Sequence, residues 1–153
     1  MTKKSWMLVA AAILLGAGSI YLNKDWFAKD RIQIFDRSRP ARGPLASRRS
    51  AANPAINPIL FGFDRSVRLT SLKVIPVSEI QTNKYPHPIW HLVTESNSVP
   101  IKEFFYDARI RGMHPAVKGA QADPLEPGVK YRLIVEVGSQ KAEHDFVPVP
   151  RAD

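Results

Sequence analysis

The stretch LEPGVKYRLIVEV, Leu125 to Val137, joins a turn signal to a strict alternation of side chains. Tyr131, Leu133, Val135 and Val137 fall on every second position, so they belong on the core face of a β-strand. Arg132 and Glu136 then look outward, and Ile134 is left for a loop or a partner. Pro127-Gly128 ahead of the strand is a turn dipeptide, since proline presets the first turn position and glycine accepts the second.

Working outward, the segment from Ile59 to Phe146 reads as short strands with turn signals between them, the pattern of an all-β sandwich or barrel. Candidate strands are Val67 to Val77, Ile89 to Thr94, Ile101 to Tyr106, Tyr131 to Val137 and Glu143 to Val147. Within the first, the apolar phase slips between Leu69 and Leu72, and a bulge near Thr70 and Ser71 accounts for it. No long amphipathic helix is visible in this region.

Leu-x-Pro-Gly-x-x-Tyr followed by alternating apolar residues resembles the corner of fibronectin type III domains, a branch of the immunoglobulin-like β-sandwiches. The resemblance covers Leu125 to Val137. It implies that Leu125, Pro127 and Tyr131 form a fold corner in which the leucine and tyrosine plug one end of the sandwich, with the tyrosine hydroxyl capping a backbone group. It also implies a core tryptophan on an early strand, a place that Trp90 can fill. It implies no activity.

Residues 149–153 form a tail after the 59–148 sandwich, and residues 23–58 lie before it. In 23–58, Ile32, Ile34 and Asp36 alternate with Gln33 and Phe35, which suits an edge strand or a stalk. From Arg37 to Pro58, proline, alanine, serine and arginine dominate, and little there can be buried, so a disordered or extended basic linker is expected. Its arginines Arg37, Arg39, Arg42, Arg48 and Arg49 suit solvation, or contact with an anionic surface.

Residues 1–22 open with Lys3 and Lys4 and continue into seventeen uncharged residues, Trp6 to Leu22. Three readings compete: a cleaved signal segment ending near Gly16-Ala17-Gly18, a retained transmembrane helix contacting lipid through residues 6–22, or a buried helix of a soluble domain, against which the missing polar face speaks. Trp26, a helix span of about 30 Å beyond Trp6, suits the retained helix. More basic residues follow the span than precede it, which argues for a cytoplasmic domain. The short basic start argues for export, and the expectation is a single-pass membrane protein with an extracytoplasmic domain, or a secreted or periplasmic one after cleavage.

The 153 residues leave room for one domain. The net charge of +8 is uneven: residues 1–56 carry ten Lys or Arg against three Asp, and residues 57–153 carry twelve against eleven acids. The basic excess sits in the arm, so a nucleic-acid partner is not expected. The chain has no cysteine, which excludes disulfides, thiol chemistry and thiolate metal sites.

Catalytic signals are weak. His87 and His91 have helical metal-site spacing, but Pro86 and Pro88 favour an extended segment in which they stand about 13 Å apart. His144 sits between Glu143 and Asp145, whose side chains point to the opposite face. No nucleophile elbow or phosphate loop is present, so no enzyme, cofactor, metal or small-molecule substrate is expected. Phe104-Phe105-Tyr106 must place at least one ring near the surface unless both strand faces are covered. With Trp90, and with Arg109 and Arg111 sharing one side of the chain, it forms a candidate partner-binding patch. The expectation is a non-enzymatic, membrane-anchored envelope protein that presents a small sandwich to another envelope protein. The alternatives are an accessory subunit of a membrane or secretion complex docking through its helix, whose Gly16 to Ser19 patch permits close contact, and a surface-polymer hydrolase using His91, Glu95 or His144.

Overall fold

The computed structural model describes residues 3–22, 31–38, 56–96 and 98–151. They fall into two compact units, divided after Arg31. The first contains helix α1, Lys3–Leu22. Among the described residues no helix is long and apolar enough to cross a membrane, which overturns the expected transmembrane helix and, with it, the single-pass localisation. Two of the twenty positions of α1 go to Lys3 and Lys4, and Gly16, Gly18 and Ser19 dilute its apolar half. The uncharged run of seventeen residues covers only about 25 Å of axis, against about 30 Å of hydrocarbon. Trp26 lies outside the described residues.

The second unit, Ile32–Asp153, is β-rich. One antiparallel sheet has the order β1-β2-β5, from Ile34–Ser38, Ile59–Val67 and Ile101–Phe105. The other has the order β6-β4-β3-β7-β8, from His114–Pro115, Trp90–Val93, Ser71–Pro76, Tyr131–Val137 and Gln140–Phe146. A six-residue helix, α2, Val77–Thr82, follows β3. Two antiparallel sheets sharing one core are compatible with a β-sandwich. Of the two readings for Ile32 to Asp36, edge strand or stalk, the strand is found from Ile34 on, with Ile32 and Gln33 ahead of it, so the first part of the expected basic linker is sheet: Arg37 on β1 pairs in register with Leu60. Arg39, Arg42, Arg48 and Arg49 lie outside the described residues.

Aromatic side chains join the two sheets. Phe61 and Phe63 on β2 and Phe104 on β5 turn inward, and Phe61 meets Phe146 of β8 edge-on at 4.9 Å between centroids. Trp90 on β4 meets Phe104 at 6.1 Å and Tyr106 at 5.0 Å. Complete burial of a phenylalanine such as Phe61 contributes roughly 2 to 3 kcal/mol. Gly62, in register with Phe35, is buried beneath that ring, and any Cβ at this position would collide with it. The glycine is therefore required by the close approach of the aromatic cover.

The expected bulged strand from Val67 to Val77 is two strands in different sheets. β2 ends at Val67, the chain crosses through Arg68, Leu69 and Thr70, and β3 starts at Ser71. The phase slip records a change of sheet: Leu69 is fully buried at the crossing, where its N–H donates to Ser98 Oγ at 2.7 Å and its C=O accepts from Ser98 N–H at 3.0 Å. At the other end of the expected strand, Val77 starts α2.

β7 spans Tyr131–Val137 as its alternation requires, with Tyr131, Leu133 and Val135 buried. Its outer face and that of β8 carry a ladder of charges. Arg132 donates from Nε and Nη2 to the two carboxylate oxygens of Asp145, at 2.6 and 3.1 Å, and from Nη1 to Glu143 at 3.3 Å. Lys130 and Lys141 extend the ladder at its ends.

Candidate functional site

At the corner, Leu125 and Tyr131 are buried, and the Tyr131 hydroxyl accepts the Glu126 N–H at 3.0 Å. Pro127 and Gly128 occupy the centre of a turn closed from Val129 N–H to Glu126 C=O, and Gly128 takes the positive φ of 77° that favours glycine there. Leu125 and Tyr131 are therefore packed inside at this corner, while Pro127 stays exposed in the turn.

Between β5 and β7 runs a crossover from Tyr106 to Lys130, long for a connection between strands. It is tied down along its length. Tyr106 N–H donates to Ile59 C=O at 3.0 Å, and its hydroxyl donates to Asp123 C=O at 2.6 Å. Burial, reinforced by Asp107 and Asp123, pushes the Tyr106 hydroxyl far above the usual phenol range, so it stays a neutral donor. Asp107 adopts a positive φ of 60°; burial raises its carboxyl pKa, against a hydrogen bond from the Ala122 backbone. Further on, Asp123 N–H donates to Ile89 C=O, and β6 pairs with β4.

Within this crossover lies the segment Ala108 to Arg111. Ile110 turns into the core, which pins the segment and leaves Arg109 and Arg111 exposed on either side of it. Two backbone bonds hold the ends: Ala108 N–H to Phe105 C=O at 3.1 Å, and Val99 N–H to Arg111 C=O at 3.3 Å. The segment walls two clefts. One, of about 320 Å³, is lined by Leu60, Ile101, Glu103, Phe104 and Phe105; the other, of about 880 Å³, by Trp90, Leu92, Asp107, Met113, His114 and Gln121 among others.

Of the six residues selected as a partner patch, five line these clefts, and the sixth, Tyr106, stacks edge-on against Trp90. Their roles differ from that of a flat aromatic patch. Trp90 and Phe104, at 4% and 6% exposure, belong to the core, while Phe105 and Tyr106 are half-buried. Arg109 and Arg111 are the parts that reach solvent. Ile110 was not among the selected residues, although the alternation in Ala108-Arg109-Ile110-Arg111 signals an inward isoleucine between two outward arginines.

The histidines do not converge. His91 lies in register with Lys73, which pairs with Ile134 and so with Glu143, on the outer face of the five-stranded sheet. His144 lies in register with the buried Leu133 and faces inward, where Nε2 meets Asp36 Oδ1 at 2.7 Å. Its flanking acids engage Arg132 instead. His87 is exposed, and its backbone N–H donates to Glu79. Among the described residues no group of three His, Asp or Glu is arranged to hold a metal ion. On β1, Arg37 places its guanidinium carbon 5.6 Å from the Phe35 ring centroid. The chain matches no protein-family model, no curated protein and no solved structure.

Proposed function

We propose that the β-rich unit is a fibronectin type III-like sandwich that works as a non-enzymatic protein-interaction module, engaging its partner over the ridge Ala108–Arg111. The strand order supports the fold assignment. Immunoglobulin-like sandwiches place the A, B and E strands in one sheet and C, F and G in the other, with C′ beside C where it occurs. The orders β1-β2-β5 and β4-β3-β7-β8 fit that arrangement, and the Tyr131 corner fits it independently.

One observation carries the functional reading: two exposed guanidinium groups, without an ion pair or side-chain hydrogen bond among the described residues, line a wall shared by two clefts of mixed polar and apolar character. Arginine is one of the residue types enriched among those that dominate binding energy at protein interfaces. The test is crosslinking with mass spectrometry on the full-length chain in its native cells. Lys102 on β5 and Lys118 in the crossover flank the ridge, so they are expected to crosslink to a common protein partner. Those crosslinks are expected to disappear in the Arg109→Glu/Arg111→Glu variant. Partner crosslinks that ignore this variant would move the interaction to another face.

A further inference from the structure

We propose that β8 joins two copies of this chain edge to edge, antiparallel, with Ala142 on the two-fold axis and Lys141 of each copy opposite Glu143 of the other. β8 ends the larger sheet, and among the described residues no strand pairs with its outer edge. Gly138 and Ser139 make a two-residue turn between β7 and β8, and Gly138 takes the positive φ of 59° that the first central position of a type II′ turn requires. Such a turn closes from Val137 C=O to Gln140 N–H, which makes these two a hydrogen-bonded pair. Along the ladder Gln140, Ala142, His144 and Phe146 therefore bond to β7, and Lys141, Glu143 and Asp145 turn their backbone groups to the open edge.

Charges on an edge strand ordinarily oppose pairing. On β8 they oppose every register but one. Lys141 and Glu143 stand on the outer face with 55% and 40% of their side chains exposed. In a two-fold pair centred on Ala142, Lys141 faces Glu143 twice and Asp145 faces the uncharged Ser139. A shift by one pleat centres the pair on Glu143 or on Lys141 and sets like charges against each other. Lys141 Nζ already meets Glu143 Oε1 at 2.8 Å within the chain, so in the dimer the four side chains form a ring of alternating sign about the axis. At the axis itself the backbones of a non-hydrogen-bonded pair come closest, and alanine is small enough to allow it. On the inner face Gln140 falls opposite His144, whose Nε2 is already held by Asp36. A second copy of this chain thus supplies the charge order that the edge calls for.

Sedimentation equilibrium of the full-length chain in mild detergent is expected to show a monomer–dimer equilibrium. Lys141→Glu and Glu143→Lys each alter two facing pairs per dimer, so either alone is expected to raise the dissociation constant at least about tenfold. Lys141→Glu/Glu143→Lys in one chain should restore the dimer. An equimolar mixture of the two single variants should restore it as well, because each then finds opposite charges in the other, and such rescue shows that both are folded. The natural chain has no cysteine, so Ala142→Cys adds a lone thiol at the axis. Facing residues of a non-hydrogen-bonded pair lie within disulfide reach, so mild oxidation is expected to link Ala142→Cys into dimers, and Lys141→Glu to suppress the link. A monomer at every concentration, or no linkage through Ala142→Cys, overturns the pairing. A dimer that ignores the charge reversals, or reversals that neither the double variant nor the mixture rescues, overturns it equally.

Discussion

Nε2 of His144 and Oδ1 of Asp36 stand 2.7 Å apart, although 108 positions separate them in the chain. Asp36 is in register with Phe61 and His144 with Leu133, so both side chains turn toward the interior from the terminal strands of opposite sheets. An inward polar group on an edge strand is one device that keeps edges from pairing wrongly. Here the two devices satisfy each other and latch one side of the molecule. Asp36→Asn and His144→Ala are each expected to cost about 1 kcal/mol in urea unfolding. The double variant should lose less than the sum of the two. Strict additivity would show that the latch carries no coupling.

Tyr131→Phe removes the acceptor for Glu126 N–H and little else, because the ring stays stacked on Phe146. The expected loss is about 1 to 2 kcal/mol of folding stability, read from the urea midpoint at constant slope. Unchanged stability would mean that Tyr131 acts through its ring alone.

Phe35 and Gly62 form a matched pair on the outer face of β1 and β2. Gly62→Ala forces the ring aside, and Phe35→Ala uncovers the glycine backbone; each is expected to destabilise the fold by about 1 kcal/mol. Combined, they should cost clearly less than the sum, because the small side chain at position 35 leaves room for the new methyl group. Thermal unfolding of the four proteins in the cycle checks this.

Two groups give the domain a stability that falls on acidification. Hydrogen bonding from Arg132 is the leading cause that holds Asp145 below the usual carboxylate range, aided by Lys130. A depressed carboxyl pKa contributes fully above the unfolded value near 3.8 and is lost as pH falls through the folded value. Burial lowers the pKa of His91, with repulsion by Lys73 adding to it and Glu136 opposing. The folded state then binds fewer protons than the unfolded chain, so this contribution is complete above about 6.5 and declines as pH falls below it. Thermal midpoints measured from about pH 8 to pH 3 should therefore drop in two stages, the second partly offset by Asp107, whose raised carboxyl pKa gives a contribution of opposite sign. His91→Gln is expected to remove the first stage and Arg132→Gln to diminish the second.

Strands that bury one face were legible in the sequence because their side chains alternate: Tyr131 to Val137 is the clearest case, and β4 and β5 follow. β2 was hidden, since Gly62 beneath Phe35 makes both of its faces buried around Phe61 and Phe63, and a segment covered on both sides has no period of two. The crossing at Leu69 looked like a bulge because a change of sheet and a slipped register disturb the phase alike. In α1, the apolar run gave the helix, but apolar composition alone overstated its reach. The exposure of Arg109 and Arg111 was legible from their charge. The clefts beside them were not, because residues distant in sequence, Leu60 and Trp90 among them, supply the floors. Asp36 offered a missed signal: a charge in the phase of Ile32 and Ile34 demands an inward partner, which His144 provides.

The short β6 also decides how the larger sheet ends. Ala116 N–H donates to His91 C=O, so the neighbouring residue in the ladder, Pro115, turns its nitrogen away from β4. Proline has no hydrogen to offer at that rim. An incoming chain seeking to stack there finds no donor at Pro115, which disfavours fibre growth from this side.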